Sequence, residues 1–226
     1  MATRIKTKTS KLILIRHGQS TYNEENRFTG WKDVGLTNKG MLEAKNAAVL
    51  LKDLSIDLAF TSDLKRAQNT LKIILKSLNL DIDIICDKRL NERDYGDLIG
   101  QNKKEAAMKF GEEQVQIWRR SYSTPPPGGE SLKMTYDRCV PYFKKQILTK
   151  LKTNTVLVSA HGNSIRAIVK YLFNISDDDI LQTEIGWCEP WIFTFDENTI
   201  LSDFKILFTE NSNSSIPEKI TKLLDF

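Results

Sequence analysis

Short apolar runs alternate along the chain with longer segments of helical period, and this alternation constrains the fold more than any other feature. Each run is too short for a helix and is rich in aliphatic and aromatic residues. The predicted strands span residues 11–16, 57–62, 82–86, 155–160, 190–195 and, as a weaker run, 202–208. Strands that alternate with helices build a largely parallel sheet covered on both faces. We therefore predict an α/β fold, a three-layer sandwich whose central, mostly parallel sheet is flanked by helices.

The segments between these strands carry signals for helices. Thr37 can cap a helix that continues to residue 51, and apolar residues from Leu64 to Leu78 form one stripe of a second helix. Further helices are predicted over residues 102–110, 112–122, 131–151, 164–173 and 177–179. Pro141 should kink or break the longest of them.

Two segments do not follow the pattern: a polar stretch at residues 18–36 and an insertion at residues 88–129 between the third and fourth strands. Loops of this length in a compact domain are usually functional. We therefore predict that the insertion forms a helical lid on a single domain of residues 12–208. Residues 1–11 are predicted to form a basic, flexible tail and residues 209–226 a polar C-terminal tail.

Charge and composition exclude several classes of protein. The 226 residues include 33 Lys and Arg against 29 Asp and Glu, but four of the cations lie in the first eleven residues, so the body of the protein is neutral. A nucleic-acid-binding domain would carry its basic excess on the folded surface. No apolar run approaches the roughly 18 residues of a membrane span, and the N-terminus lacks the apolar core of a secretory signal. We expect a cytoplasmic protein that binds neither nucleic acid nor membrane.

The two histidines of the chain stand in the same context. His17 and His161 each follow a predicted strand and open the tetrapeptides HGQS and HGNS. At average composition, a chance match of both glycines and both serines has odds of about one in 40,000. The carboxyl ends of parallel strands meet at one edge of a sheet, where ligands bind. We therefore expect the two histidines to share one crevice at that edge, rather than to be unrelated core side chains.

Arginines beside this crevice predict an anionic ligand. Arg16 directly precedes His17, and Arg66 follows the TSDL turn at the end of the second strand. A guanidinium group binds phosphate bidentately, and the segment after each glycine can direct backbone N–H groups at the anion. A neutral imidazole can attack a phosphoryl group and carry it as phosphohistidine. The residues themselves thus favour phosphoryl transfer.

A metal site is the main alternative, because histidine is the commonest metal ligand. Two histidines without an assembled set of carboxylates make a poor site, and the flanking arginines would repel a cation. The three cysteines lie about fifty residues apart, a spacing that predicts neither a zinc site nor a disulfide framework. The chain also lacks the glycine-rich motifs of P-loop and dinucleotide-binding proteins. We expect no metal.

Eight short motifs make the chain recognisable: RHGQSTYN, NRFTGW, TSDLKRA, LNERDYG, QNKKE, EEQVQIWRRSY, PPPGGESL and AHGNSIRA. From about residue 12 to about residue 208 the chain resembles the cofactor-dependent phosphoglycerate mutases of the histidine phosphatase superfamily. The resemblance implies interconversion of 3-phosphoglycerate and 2-phosphoglycerate, a step of glycolysis and gluconeogenesis, with 2,3-bisphosphoglycerate as the phosphoryl primer. The ligands would be small phosphorylated three-carbon acids.

The resemblance also implies a role for each matching residue. His17 would be the phosphorylated nucleophile, His161 would stabilise the transferring phosphoryl group, and Glu92 would exchange a proton with the substrate. The residues that would cradle the phosphoryl group are Arg16, Arg66, Asn23, Gly162 and Asn163. Those that would hold the substrate carboxylate and second phosphate are Thr29, Gly30, Tyr95, Lys103, Arg119 and Arg120.

Four departures from the family pattern limit this transfer. Asp94 replaces the usual histidine after LNER, QNK replaces LNK, and PPPGGESL is a shortened loop. IGWCEP replaces the usual IPTG-x-P and places Trp187 and Cys188 near the expected site entrance.

Several alternatives stay open at this point. One is a phosphatase or a bisphosphoglycerate mutase of the same superfamily. From another class, a non-catalytic protein that binds phosphorylated ligands is disfavoured because both histidines are present. The sequence does not fix the oligomeric state, and a homodimer is compatible with it.

Overall fold

A six-stranded sheet forms the centre of the molecule. The computed structural model describes residues 9–208 and 212–217. Its strands are β1 (Ser10–Arg16), β2 (Leu58–Thr61), β3 (Ile84–Cys86), β4 (Val156–Ala160), β5 (Trp191–Phe195) and β6 (Leu201–Ile206). They lie in the order β3-β2-β4-β1-β5-β6; the first four are parallel, and β5 and β6 are antiparallel to their neighbours. The predicted mostly parallel sheet is confirmed, and the weaker sixth strand belongs to it.

The helices follow the predicted order. In the described part of the chain they are α1 (Thr21–Glu24), α2 (Asn38–Leu51), α3 (Lys65–Ser77), α4 (Lys103–Phe110), α5 (Glu112–Arg120), α6 (Leu132–Tyr142), α7 (Gly162–Phe173) and α8 (Asp177–Ile180). As predicted, Thr37 caps α2 by accepting a hydrogen bond from the N–H of Gly40. Helix α7 begins two residues earlier than predicted, directly after His161, and α1 lies within the polar stretch where no helix was predicted.

Helices cover both faces of the sheet. Leu12 and Leu14 of β1 point to one face and Ile13 and Ile15 to the other, because successive side chains of a strand alternate. Helices α6 and α7 pack on the first face, and α2 and α3 pack on the second. All four side chains are fully buried, which explains why the strand reads as an unbroken apolar run. The predicted three-layer arrangement is confirmed.

Pro141 ends helix α6, as its position predicts. Proline has no N–H to donate, and its ring conflicts with the carbonyl group four residues earlier. Helix α6 stops at Tyr142, and the chain continues as a π-helical turn (Phe143–Ile147) and a 3₁₀ segment (Leu148–Lys152). The predicted long helix therefore continues beyond Tyr142 only as π and 3₁₀ turns.

The insertion and the polar stretch before α2 pack against each other. The insertion contains α4, α5 and two single 3₁₀ turns (Lys88–Leu90 and Gly96–Leu98). Phe28 of the polar stretch joins Leu98, Ala106 and Val115 in a small core of their own. The two segments that depart from the strand–helix pattern thus form one unit beside the sheet, and we call residues 88–129 the lid.

The sheet begins earlier than predicted. Strand β1 starts at Ser10, so Ser10 and Lys11 belong to the sheet and not to the basic tail. Both residues pair with β5, whose antiparallel register extends to the first residue of β1. Residues 1–8 of that predicted tail lie outside the described residues. No helix in the described part of the chain is long and apolar enough to cross a membrane.

Part of the predicted polar C-terminal tail is packed on the domain. Ser215 and Glu184 exchange two backbone hydrogen bonds, of 2.9 and 3.0 Å. The buried carboxylate of Glu189 accepts hydrogen bonds from the backbone N–H groups of Asn213 and Ser214. A buried carboxylate needs such donors, and this need explains the attachment. Residues 209–211 and 218–226 lie outside the described part.

Candidate functional site

The two histidines meet at the carboxyl edge of the sheet. His17 directly follows β1 and His161 directly follows β4, and these two strands are parallel neighbours. The backbone N–H of His17 donates to the carbonyl oxygen of Ala160 at 3.0 Å. The two ring centroids are 5.0 Å apart in an edge-to-face arrangement. The two histidines therefore lie side by side at the carboxyl edge of the sheet, as predicted.

The hydrogen bonds of His17 fix its tautomer. Its Nδ1 lies 2.7 Å from the carbonyl oxygen of Gly18, which only accepts, so Nδ1 carries the proton. Its Nε2 lies 3.3 Å from Nε of Arg66, which only donates, so Nε2 presents a lone pair. Burial, followed by the charges of Arg66 and Arg16, lowers the pKa of His17 well below its ordinary value of 6.5. His17 is thus a neutral imidazole with its lone pair on Nε2, as a nucleophile requires.

Arg66 is held in place by the polar stretch. Its two terminal nitrogens donate to the carbonyl oxygens of Lys32 and Gly30, at 3.0 and 2.8 Å. Burial lowers the pKa of Arg66 to about 10, which leaves it charged at neutral pH. Gly30, predicted to bind substrate, therefore lies behind Arg66 and positions it; it is not among the residues that line the cavity.

Arg16 contributes a second fixed positive charge. One terminal nitrogen donates to the carbonyl oxygen of Ile185 at 2.8 Å, and the guanidinium lies 5.3 Å from the ring centroid of Trp187. Its Nε is buried and has no partner within the described residues. An unpaired buried donor on a charged group is costly, so this atom is suited to meet an anion.

The glycines of the two HG motifs, Gly18 and Gly162, have different surroundings. A Cβ atom at Gly18 would collide with the carbonyl oxygen of Gly40, so the first glycine lets β1 run close to α2. A Cβ atom at Gly162 would lie 3.7 Å from Arg16 Nε and 3.8 Å from Glu92 Oε2, which is ordinary contact. The second glycine therefore leaves open the space between Arg16 and Glu92, where a ligand would sit.

Glu92 is tethered by one oxygen. Its Oε1 accepts hydrogen bonds from the backbone N–H groups of Arg93, at 2.8 Å, and Asn163, at 3.1 Å. The N–H of Asn163 in the first turn of α7 is thus engaged by a carboxylate, although we expected it to bind the phosphoryl group. Glu92 is 9% exposed and lines the cavity, and Oε2 is the oxygen that these two N–H groups leave unengaged.

A strongly cationic cavity of about 140 Å³ opens in front of His17. Its charged lining consists of the carboxylates Glu92 and Glu184 and the cations Arg16, Arg27, Arg66, Lys103, Arg119, Arg120 and Arg166. Asn23, Thr29, Tyr95, Gly162 and Asn163, which were predicted to bind the ligand, also line it. Such an excess of positive charge in a small enclosed space selects a multiply charged anion.

The lid supplies the cations that lie away from His17. Lys103 opens α4, and Arg119 and Arg120 close α5. Burial lowers the pKa of Lys103, an effect that Tyr95 partly offsets. Arg120 is not free, because it forms a 2.6 Å ion pair with Glu184. The other oxygen of the same carboxylate pairs with Arg166 at 2.8 Å.

Sequence reasoning missed five of the lining residues: Arg27, Phe28, Arg166, Glu184 and Ile185. Arg166 could have been found, because it lies one helical turn after Asn163 in AHGNSIRA and donates to that side chain at 3.2 Å. Glu184 gives no local signal, since its position beside Arg120 depends on the folding of the lid.

Other predicted residues lie near the site without lining it. His161 is fully buried and reaches the site through its contact with His17. Trp187 contacts Arg16, and Cys188 is buried; both line a separate cavity beside α2 and not the cationic one. Asp94 accepts a hydrogen bond from the N–H of Gly96 and serves the turn there. Within the described residues, no group of three or more His, Cys, Asp or Glu is arranged to hold a metal ion.

Comparisons with known proteins place this geometry in context. A family profile described as the histidine phosphatase superfamily (branch 1) matches residues 12–203. The 2,3-bisphosphoglycerate-dependent phosphoglycerate mutase of Parvibaculum lavamentivorans is 53% identical over 190 residues, 82% of this chain and 90% of that protein. The 2,3-bisphosphoglycerate-dependent phosphoglycerate mutase 2 of Bacteroides thetaiotaomicron is 45% identical over an alignment of 245 positions, gaps included, that covers 95% of this chain and 96% of that protein.

Solved structures share the fold at lower sequence identity. A mycobacterial glucosyl-3-phosphoglycerate phosphatase superposes with a TM-score of 0.75 at 23% identity, covering 91% of this chain and all of that one. The alpha-ribazole phosphatase from Shigella flexneri gives a TM-score of 0.72 at 22% identity, covering 84% of this chain and 93% of that one. These two similarities concern the fold alone.

Proposed function

Because this chain belongs to branch 1 of the histidine phosphatase superfamily, we propose that it interconverts 3-phosphoglycerate and 2-phosphoglycerate through a phosphohistidine at His17, primed by 2,3-bisphosphoglycerate. The observation that carries the proposal is the neutral His17 ring, whose Nε2 lone pair lies at a cavity with cations at both ends. The names of the relatives at 45–53% identity support this substrate class.

In the first half of the reaction, His17 is phosphorylated. Its Nε2 forms a bond to phosphorus while the bond from phosphorus to the substrate oxygen breaks. Glu92 passes a proton from Oε2 to the departing oxygen, and in the second half it takes a proton from the hydroxyl that is phosphorylated. Arg16, Arg66 and the N-terminus of α7 stabilise the negative charge of the transferring group.

The cations of the lid hold the rest of the ligand. Lys103, Arg119 and Arg120 would bind the carboxylate and the second phosphate while the bisphosphate turns between its two orientations. Arg120 must share its charge between the ligand and Glu184, with which it is already paired. A closed lid would also keep water from the phosphohistidine, and this exclusion would separate a mutase from a phosphatase.

We also propose that the protein requires no metal ion and acts in the cytoplasm. Fixed arginines supply the charge that Mg²⁺ supplies in nucleotide-dependent phosphoryl transfer. The partners of the protein would be small phosphorylated acids.

Two measurements test the proposed function. Conversion of 3-phosphoglycerate should depend on 2,3-bisphosphoglycerate, and incubation with this primer should add one acid-labile phosphoryl group that intact-mass analysis detects. His17→Ala should abolish both. Undiminished acid-labile label in that variant would contradict the assignment of His17, and phosphate release without 2-phosphoglycerate would indicate the alternative phosphatase.

A further inference from the structure

A buried serine outside the predicted site contacts His161. Ser62 follows β2, the strand that pairs with β4, and is fully buried. Its Oγ lies 2.7 Å from Nε2 of His161. Ser62 thus lies at the same edge of the sheet as the two histidines.

The direction of this hydrogen bond follows from the surroundings of Ser62. Its Oγ already accepts a hydrogen bond from the backbone N–H of Leu64 at 3.2 Å, at the turn into α3. Among the described residues, Nε2 of His161 is the acceptor within reach of the hydroxyl proton. If Nε2 carried the ring proton, the buried hydroxyl would lack an acceptor, which is unfavourable. The hydroxyl therefore donates, and Nε2 of His161 accepts.

The tautomer of His161 follows from this direction. Burial, followed by the charge of Arg66, lowers the pKa of His161 well below 6.5, so the ring is neutral and carries one proton. With Nε2 accepting, that proton is on Nδ1. Nδ1 is buried and has no partner in the described part of the chain, and its ring lies against His17. A donor without a partner beside the nucleophile is suited to an incoming oxyanion.

We propose that Ser62 is a positioning residue that holds His161 as the Nδ1–H tautomer, so that His161 donates a hydrogen bond to the phosphoryl group as it moves to and from His17. With the opposite tautomer, Nδ1 would direct a lone pair at the phosphoryl oxygens and repel them. This role rests on the proposed function, whereas the tautomer can be measured without it.

The tautomer can be measured because His17 and His161 are the only histidines in the chain. Long-range ¹H–¹⁵N spectra of protein labelled at histidine distinguish protonated from unprotonated ring nitrogens, and His17→Gln assigns the two ring systems. We expect His161 in the wild-type protein to be protonated at Nδ1. Protonation at Nε2 would overturn the inference, whatever the activity of the enzyme.

Variants of Ser62 test the consequence for catalysis. Ser62→Ala should give a mixture of His161 tautomers and lower kcat by about 10- to 100-fold with little change in KM, by analogy with partners that orient metal-ligating histidines. Ser62→Thr keeps the hydroxyl and should restore both the tautomer and most of kcat. Unchanged kcat in a folded Ser62→Ala protein would overturn the role of Ser62.

Ser159 provides a matched control. It is an equally buried serine on the neighbouring strand β4, and its hydroxyl donates to the carbonyl oxygen of Ala67 and not to a histidine. Ser159→Ala should leave the His161 tautomer unchanged; an equal change in both alanine variants would overturn the specific role of Ser62. If His17 fails to take up label while His161 is protonated at Nδ1, the proposed function fails and the tautomer assignment stands.

Discussion

Replacement of Glu92 by glutamine would separate the chemistry of this side chain from its structural contacts. The amide oxygen of glutamine can take the place of Oε1 and accept the same hydrogen bonds from Arg93 and Asn163. The amide nitrogen would then occupy the position of Oε2, where it cannot exchange a proton with the substrate. Shape and tethering are kept, and only the acid–base function is lost.

Glu92→Gln should lower kcat. General acid–base catalysis contributes about 10²- to 10⁴-fold, so the barrier should rise by about 2.7 to 5.5 kcal/mol. Binding should not weaken, because glutamine carries no negative charge that would repel an anionic ligand. A coupled assay of 3-phosphoglycerate conversion gives kcat and KM, and calorimetry gives ligand affinity for the same protein.

Two comparisons make this prediction specific. Glu92→Ala also leaves two buried N–H groups without an acceptor, at a cost of about 1–3 kcal/mol each, so it should lower the free energy of unfolding where glutamine does not. Glu197→Gln makes the same change of charge at an exposed turn and should leave kcat unchanged. Near-normal turnover in Glu92→Gln would refute the assignment and place the proton on another group.

Three further outcomes are expected. Replacement of Arg119 and Arg120 by alanine removes charge-assisted contacts worth about 1.5–3 kcal/mol each, so mutase flux should fall further than phosphate release; parallel losses of both products would mean that the lid cations do not control water. Activity should persist in EDTA and be inhibited by vanadate, whereas loss in EDTA with recovery on added metal would contradict the metal-free mechanism. Burial holds the pKa values of His17 and His161 well below 6.5, so the unfolded chain binds protons below that pH that the folded protein does not. The free energy of unfolding should therefore fall with decreasing pH, by up to about 1.4 kcal/mol per unit for each histidine, and denaturant titrations at pH 7 and pH 5 that give equal values would contradict this.

The parts of the structure that depend on local pattern could be predicted from the sequence. The central strands β1, β4 and β5 are buried apolar runs, and the rule that parallel strands end at one edge was enough to bring His17 and His161 together. Family membership also followed from short motifs, and the profile match over residues 12–203 confirms it. These successes share a cause, because the information lies within a few residues of each position.

Contacts between residues far apart in the chain could not be predicted in the same way. The pairing of Glu184 with Arg120 joins the lid to a loop 64 positions further along the chain. The attachment of Asn213 and Ser214 to Glu189 is equally non-local. Ser62 is an intermediate case, since the strand-end rule that selected the histidines applies to it, but a serine there carries no chemical signal until its partner is known.

The position of β1 in the sheet has a consequence for how the protein acquires activity during synthesis. The strand that leads to the nucleophile is made first, yet its two neighbours in the sheet are β4 and β5, which end at Ala160 and Phe195. Contacts between segments so distant in the chain form slowly, because a large loop must close before they stabilise anything. A nascent chain therefore holds His17 without its crevice until β4 and β5 have left the ribosome. In refolding experiments, recovery of phosphoryl transfer should accordingly follow the slowest structural phase, after the helices have formed.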